Sequence, residues 1–101
     1  MASLLRVKRI VNVSNNEAKS RFQYEEDGKL SRIDYTMRNG ALVLTHTEVP
    51  QELSGRGIAQ KLVTAALDHA RAKKLRVVPQ CSYVASYIKK HPEYNDLVAE
   101  E

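Results

Sequence analysis

From residue 20 onward, apolar and polar residues alternate in a way that changes period once. Phe22 and Tyr24 are separated by Arg21, Gln23 and Glu25, and Ile33 and Tyr35 by similarly polar neighbours, the period-2 pattern of strands with one buried face. Asp27-Gly28 divides Ser20–Glu25 from Leu30–Met37, and Asn39-Gly40 divides that run from Ala41–Val49; both dipeptides favour the tight turns of β-hairpins. The pattern predicts a three-strand antiparallel meander. A further strand is expected near Leu5–Val13, with a turn at Asn12–Asn16.

After Pro50 the period becomes helical. Ile58, Leu62, Val63, Ala66, Leu67 and Ala70 form a wide apolar stripe, while Lys61, Thr64, Asp68 and Arg71 fall on the opposite face. The spacing predicts a helix over about Gly57–Lys73, with Lys73 and Lys74 complementing the negative end of its dipole. Leu75–Pro79 reads as a short strand parallel to the one before the helix, completing a βαβ unit. Ser82 is the expected N-cap of a short helix in which Val84 and Ile88, and Tyr83 and Tyr87, stand four apart. Pro92 stops that helix, and Tyr94, Leu97 and Val98 are expected to dock in the tail. The fold class is therefore α/β (α+β), with an antiparallel meander leading into a βαβ unit.

With 101 residues there is room for one domain, 1–101, and one small core. An apolar fraction of 43% and a charged fraction of 28% are ordinary for a folded chain without repeats or low-complexity tracts. Sixteen Lys and Arg against 12 Asp and Glu give a formal charge of +4. That charge suits an anionic ligand or a solvated basic surface; scattered basic residues with no interleaved aromatics argue against nucleic acid. One cysteine, Cys81, allows neither an intramolecular disulfide nor a cysteine zinc cluster and suits a reducing compartment, so the expected location is cytoplasmic. Arg6, Lys8 and Arg9 interrupt the N-terminal apolar residues, leaving no signal-peptide core and no membrane span. The lack of acids before Glu17 leaves a mitochondrial transit peptide open, and the turn-like Asn12–Asn16 weighs against it.

The most informative stretch is Ser54-Gly55-Arg56-Gly57-Ile58-Ala59, between a strand and an amphipathic helix. Backbone N–H groups and the positive end of a helix dipole converge there, which is how helix N-termini bind phosphate. Glycine permits positive φ and lets a phosphate approach closely, and Arg56 can add a charge-assisted contact. The plainer reading is a glycine-rich turn. A P-loop is excluded by the missing Gly-Lys-Ser/Thr ending, and a dinucleotide fingerprint by Gln60 where its third glycine belongs.

This loop resembles that of the GNAT acetyltransferases, which carry Gln/Arg-x-x-Gly-x-Gly/Ala between their fourth strand and its helix; here the stretch is Glu52-Leu53-Ser54-Gly55-Arg56-Gly57. Glu52 departs from the usual Gln or Arg, which puts a side-chain contribution there in question and leaves the backbone cradle untouched. The chain is closer still to a GNAT subfamily of about this length with His-Thr-x-Val-Pro before the loop and Cys-Ser/Trp-Tyr-x-x-x-Tyr after the next strand. The matching residues are His46-Thr47-Glu48-Val49-Pro50 and Cys81-Ser82-Tyr83-Val84-Ala85-Ser86-Tyr87.

The resemblance implies a truncated GNAT fold whose mixed sheet splays between strands ending near Val49 and Val78. Acetyl-CoA or coenzyme A would bind there. Main-chain groups of Glu48 and Val49 would pair with the pantetheine arm, amides from Ser54 to Ala59 would hold the pyrophosphate, and Cys81 would lie near the cofactor sulfur. The implied activity is transfer of acetyl to an amine.

Such transfer needs a base, a polarised carbonyl and a proton for the departing thiolate. His46 is of the residue type suited to a base at neutral pH, and Glu48 shares its strand face two residues on. Cys81 is either a thiolate nucleophile or proton donor, if a helix N-terminus lowers its pKa, or a small buried hydrophobe. Tyr87, in Tyr87-Ile88-Lys89, fits the family's pattern for the acid, against a packing role at the same spacing. Alternatives to the enzyme are a coenzyme A-binding module of the same fold and a basic adaptor. No helical pair is legible among the first strands, so the acceptor side is expected to be open and to suit an amine on a macromolecule.

Overall fold

Local turn chemistry sets the first half of the sheet. In the computed structural model, which describes residues 13–99, Asp27 and Gly28 have φ of 54° and 72°, and Asn39 and Gly40 of 54° and 79°. Two successive positive φ values define the hairpin turn whose twist matches that of its strands. These turns join β2 (Arg21–Glu26), β3 (Lys29–Arg38) and β4 (Ala41–Glu48) into the expected antiparallel meander.

Before it lies β1 (Ser14–Asn16), antiparallel to β2 with Asn15 opposite Phe22. The expected turn at Asn12–Asn16 is thus corrected for residues 14–16, which are strand. The reversal comes later, in a 3-10 turn at Glu17–Lys19, where the Asn16 side chain accepts a hydrogen bond from the Lys19 amide and Ser20 takes φ 55°. Asparagine favours such local backbone bonds, and here the bond follows a strand instead of replacing it. Residues 5–12 of the expected N-terminal strand lie outside the described residues.

Helix α1 (Ile58–Lys73) crosses from β4 to β5 (Arg76–Pro79), which pairs parallel to β4 from Ala41–Arg76 to Leu44–Pro79. Sheet order is β1-β2-β3-β4-β5. The buried residues of α1 are the six of the predicted stripe, Ile58, Leu62, Val63, Ala66, Leu67 and Ala70. They pack with Phe22, Tyr24, Ile33, Tyr35, Leu42 and Leu44 of the sheet. Each fully buried Leu, Ile or Val contributes about 1.5–3 kcal/mol, so this stripe dominates the placement of the helix.

Helix α2 (Ser82–Lys90) and a 3-10 segment, Pro92–Leu97, join the same core through Val84, Ile88 and Leu97. The predicted N-cap moves by one residue. Ser82 is already helical, and Cys81, with extended φ and ψ of −71° and 130°, is the cap. The tail docks as expected and continues onto the outer edge of β5, where Val98 bridges Val77 and the Ala99 amide donates to the Val77 carbonyl at 2.8 Å. On the other face of the sheet, Ala41, Val43 and Val78 form a small second cluster.

Leu67 has no exposed surface and lies mid-stripe. Leu67→Ala is expected to reduce unfolding free energy by about 2–5 kcal/mol in urea titration. A loss below about 1 kcal/mol would show that α1 is not held by this stripe.

Candidate active site

The end of β4 is shaped by residues that leave the ladder early. Pro50 carries no amide, and the chain turns through a 3-10 segment, Gln51–Leu53, anchored by the buried Leu53. The Leu53 amide donates to the Pro50 carbonyl at 2.9 Å and the Ser54 amide to that of Gln51 at 3.1 Å. The Ser54 amide is therefore engaged inside the turn, while the residue itself borders the cleft.

Gly55 and Gly57 have φ of 82° and 76°, and a Cβ built at either meets no heavy atom within 4 Å. Conformation, not crowding, demands glycine here, since left-handed backbone costs other residues about 1–2 kcal/mol. The open space is also what close approach of an anion requires. Gly57 caps α1 without a side chain, so the first-turn amides of Ile58, Ala59 and Gln60 face outward at the positive end of a 16-residue helix.

A cleft of about 280 Å³ opens on this surface, lined by Val49, Leu53, Ser54, Gly55, Gly57, Ile58, Ala59, Gln60 and Tyr83. Every loop residue singled out from the sequence borders it except Arg56. The Arg56 guanidinium turns to the β2–β3 hairpin, hydrogen-bonding Glu26 and lying 3.4 Å from an Asp27 carboxylate oxygen.

A single bulge in β4 decides which way the candidate side chains face. Asp34 pairs with His46 but Tyr35 pairs with Leu44, leaving Thr45 as the extra residue; its hydroxyl donates to the Asp34 carbonyl at 3.2 Å. Two residues opposite one reverse the strand's phase. Leu42 and Leu44 point into the helix-side core, and beyond the bulge Thr47, opposite the buried Ile33, takes that side. His46 and Glu48 turn to the other face, opposite Asp34 and Arg32, where both are more than half exposed. His46 Nε2 lies 3.2 Å from Glu48 Oε1, Arg32 Nη2 lies 3.3 Å from the same oxygen, and Arg32 Nε donates to Asp34 at 3.0 Å.

At the other wall, the Cys81 amide donates to the Leu44 carbonyl at 2.9 Å, the last link between the β5 side and β4. Beyond it β4 runs on through Thr45–Glu48 without a β5 partner, so the two strands part as the resemblance implied. The Cys81 thiol lies 3.3 Å from the Thr47 hydroxyl. Partial burial raises its pKa, but the Thr47 hydroxyl and the backbone N–H groups of Val84, Tyr83 and Thr47 outweigh burial and hold the thiol below its ordinary value.

Tyr87 stands apart, its hydroxyl 3.0 Å from that of Thr64 on α1 and its ring stacked on His91 at 4.0 Å. The fold thus makes three groupings, His46 with Glu48, Cys81 with Thr47, and Tyr87 with Thr64. Among the described residues no hydrogen bond connects one grouping to another. Thr47 escaped the sequence reading because only the bulge turns it toward the thiol. Tyr83, four residues before Tyr87 on α2, is 39% exposed and forms one wall of the cleft.

A helix N-terminus beside two parting parallel strands defines the class of protein. The profile of the GCN5-related N-acetyl-transferase family matches residues 21–97, and the chain belongs to that family. Protein NATD1 of Gallus gallus and of Homo sapiens are each 45% identical to it over 49 residues, 48% of this chain and 44% and 43% of those proteins. Protein NATD1 of Danio rerio is 40% identical over 53 residues, 50% of this chain and 48% of that protein. The chain therefore matches less than half the length of these relatives. A GCN5-like putative N-acetyltransferase from Staphylococcus aureus, solved by NMR, superposes with a TM-score of 0.68 at 27% identity, covering 91% of this chain and 93% of that one. No described helix is long and apolar enough to cross a membrane.

Because Thr47 helps hold the thiol below its ordinary pKa, more Cys81 is ionised at neutral pH than in an unfolded peptide. Alkylation of Cys81 by iodoacetamide should therefore rise through a pH below that of a free cysteine. Thr47→Val should move that midpoint upward and slow alkylation at pH 7; an unchanged profile would remove Thr47 from the account.

Proposed function

We propose that this chain is an acetyl-CoA-dependent N-acetyltransferase that acts on an exposed amine, with the cleft at Gly55–Gly57 as its cofactor seat. One observation carries this reading: outward amides at the start of α1 stand beside a stretch of β4 that has lost its parallel partner. The first feature fits a pyrophosphate and the second an extended amide-bearing arm, the two chemically distinct parts of coenzyme A.

Amides of Gly55, Arg56, Gly57, Ile58 and Ala59 would hold the pyrophosphate, and main-chain groups of Glu48 and Val49 would pair with the arm. When bound, acetyl-CoA supplies an activated acetyl thioester. In this chain Cys81, near the last β4–β5 link, is the group suited to act on the sulfur side as nucleophile or proton donor. His46, hydrogen-bonded to Glu48 on the open face, is suited to accept a proton from an incoming amine. Tyr87 is engaged with Thr64 and His91, so a role as acid requires its hydroxyl to leave Thr64. Among the described residues no helix covers the face bearing His46 and Glu48, which favours an amine on a macromolecule over an enclosed metabolite. A cytoplasmic location fits the single unpaired cysteine.

The separation of the three groupings favours a second reading, a module that binds coenzyme A or an acyl-CoA with little turnover. Titration with acetyl-CoA followed by amide NMR should shift Val49, Gly55–Ala59 and Cys81; shifts confined to the N-terminal hairpins would defeat both readings. Transfer is then measured as thiol release with peptides bearing lysine or a free α-amine. For an enzyme, His46→Ala or Cys81→Ala should lower the rate by about 100-fold while acetyl-CoA affinity stays within a few-fold. Intact binding with no measurable transfer by the unsubstituted protein would establish the binding module.

A further inference from the structure

The loop that offers its amides to an anion is, by composition, hard to hold still. Two glycines in left-handed conformation flank Arg56, and glycine loses more backbone freedom on ordering than any other residue. Gly55 and Gly57 have no side chain with which to tether themselves. Arg56 is the residue between them that can, and its guanidinium reaches back about thirty positions in sequence to Glu26, with Asp27 beside it.

Glu26 is itself anchored. Its other carboxylate oxygen accepts a hydrogen bond from the Tyr24 hydroxyl at 2.5 Å, and Tyr24 is a core residue, 7% exposed. The Lys61 ammonium, four residues beyond Gly57 on α1, stands 5.4 Å from the centre of the Tyr24 ring. Hydrogen bonds from Tyr24 and then Arg56 hold the Glu26 carboxyl below its ordinary pKa, so it is ionised at neutral pH.

We propose that Glu26 is a positioning residue for the anion-binding loop, clasping Arg56 against the β2–β3 hairpin so that the Gly55–Gly57 backbone is arranged before any ligand arrives. The ligand named below rests on the acetyl-CoA reading; the clasp does not. The competing role for Arg56 is direct pairing with phosphate, in which case Glu26 would be a competitor for the same guanidinium. The two roles predict opposite signs. Breaking a clasp weakens binding, because the loop must then be ordered at the ligand's expense, whereas removing a competitor strengthens it.

Both side chains are partly exposed, Arg56 at 44% and Glu26 at 29%, and an isolated pair at such a site contributes little. This pair is not isolated. It is one link in a run from a buried phenol through a carboxylate to the residue between two glycines, so its effect should be local and modest.

The test compares Glu26→Gln, Arg56→Gln, the double variant and the charge swap Glu26→Arg/Arg56→Glu, all in the full chain. In ligand-free protein, amide hydrogen exchange at Gly55–Gly57 should quicken about two- to fivefold in Glu26→Gln, with the global melting temperature unchanged. Acetyl-CoA affinity should fall by a similar factor, the double variant should be no worse than Arg56→Gln, and the charge swap should recover part of the lost protection. Tighter acetyl-CoA binding by Glu26→Gln, unchanged exchange, or fully additive losses would each overturn the clasp. If exchange quickens but acetyl-CoA fails to bind even the unsubstituted protein, the clasp stands and the acetyl-CoA reading falls.

Discussion

Burial of the α1 stripe against one face of the sheet is the constraint from which the site follows. Ile58, Leu62, Val63, Ala66, Leu67 and Ala70 can leave water together only if the helix lies along β2, β3 and β4. That placement brings the helix start to the end of β4, whose last residue before the turn is Pro50. The loop between them then has no freedom to be anything but tight, and Gly55 and Gly57 supply the positive φ that tightness requires. Packing thus also leaves the first amides of the helix without a side-chain cap, because the cap residue is glycine.

The second determining feature is the bulge at Thr45. Without it, alternation would carry Thr47 away from the helices and His46 into the core side of the sheet. With it, a polar pair faces water, a threonine faces the thiol, and the strand leaves its parallel neighbour beyond Leu44. A single inserted residue thus separates a face bearing His46, Glu48, Arg32 and Asp34 from a face bearing Thr47, beside Cys81.

Much of this was legible beforehand. The two hairpins could be read because Asp-Gly and Asn-Gly act locally, and α1 could be read because an apolar stripe runs from Ile58 to Ala70 of a 16-residue helix. The loop's tight turn could be read because glycine at both Gly55 and Gly57 allows the positive φ that they take. Three features were not legible. Ser14–Asn16 pairs as a strand although its composition suits a turn, since a neighbouring strand's unpaired edge outweighs local preference. Cys81, not Ser82, caps α2, because the cap is the last residue still extended as β5 ends. The bulge left no local mark at Thr45.

By itself the sequence determined the order and kind of most elements, the buried face of the long helix and the glycine turn that opens it. These depend on residues near one another in the chain, whose conformational preferences act before anything packs. Only the tertiary structure decided the partners: Thr47 for the thiol, Glu48 and Arg32 around His46, Thr64 for Tyr87, and the hairpin acids for Arg56. A charged or hydroxyl side chain is compatible with many partners at a distance. Which one it meets depends on strand phase and helix placement, and those are settled by burying the whole apolar surface at once.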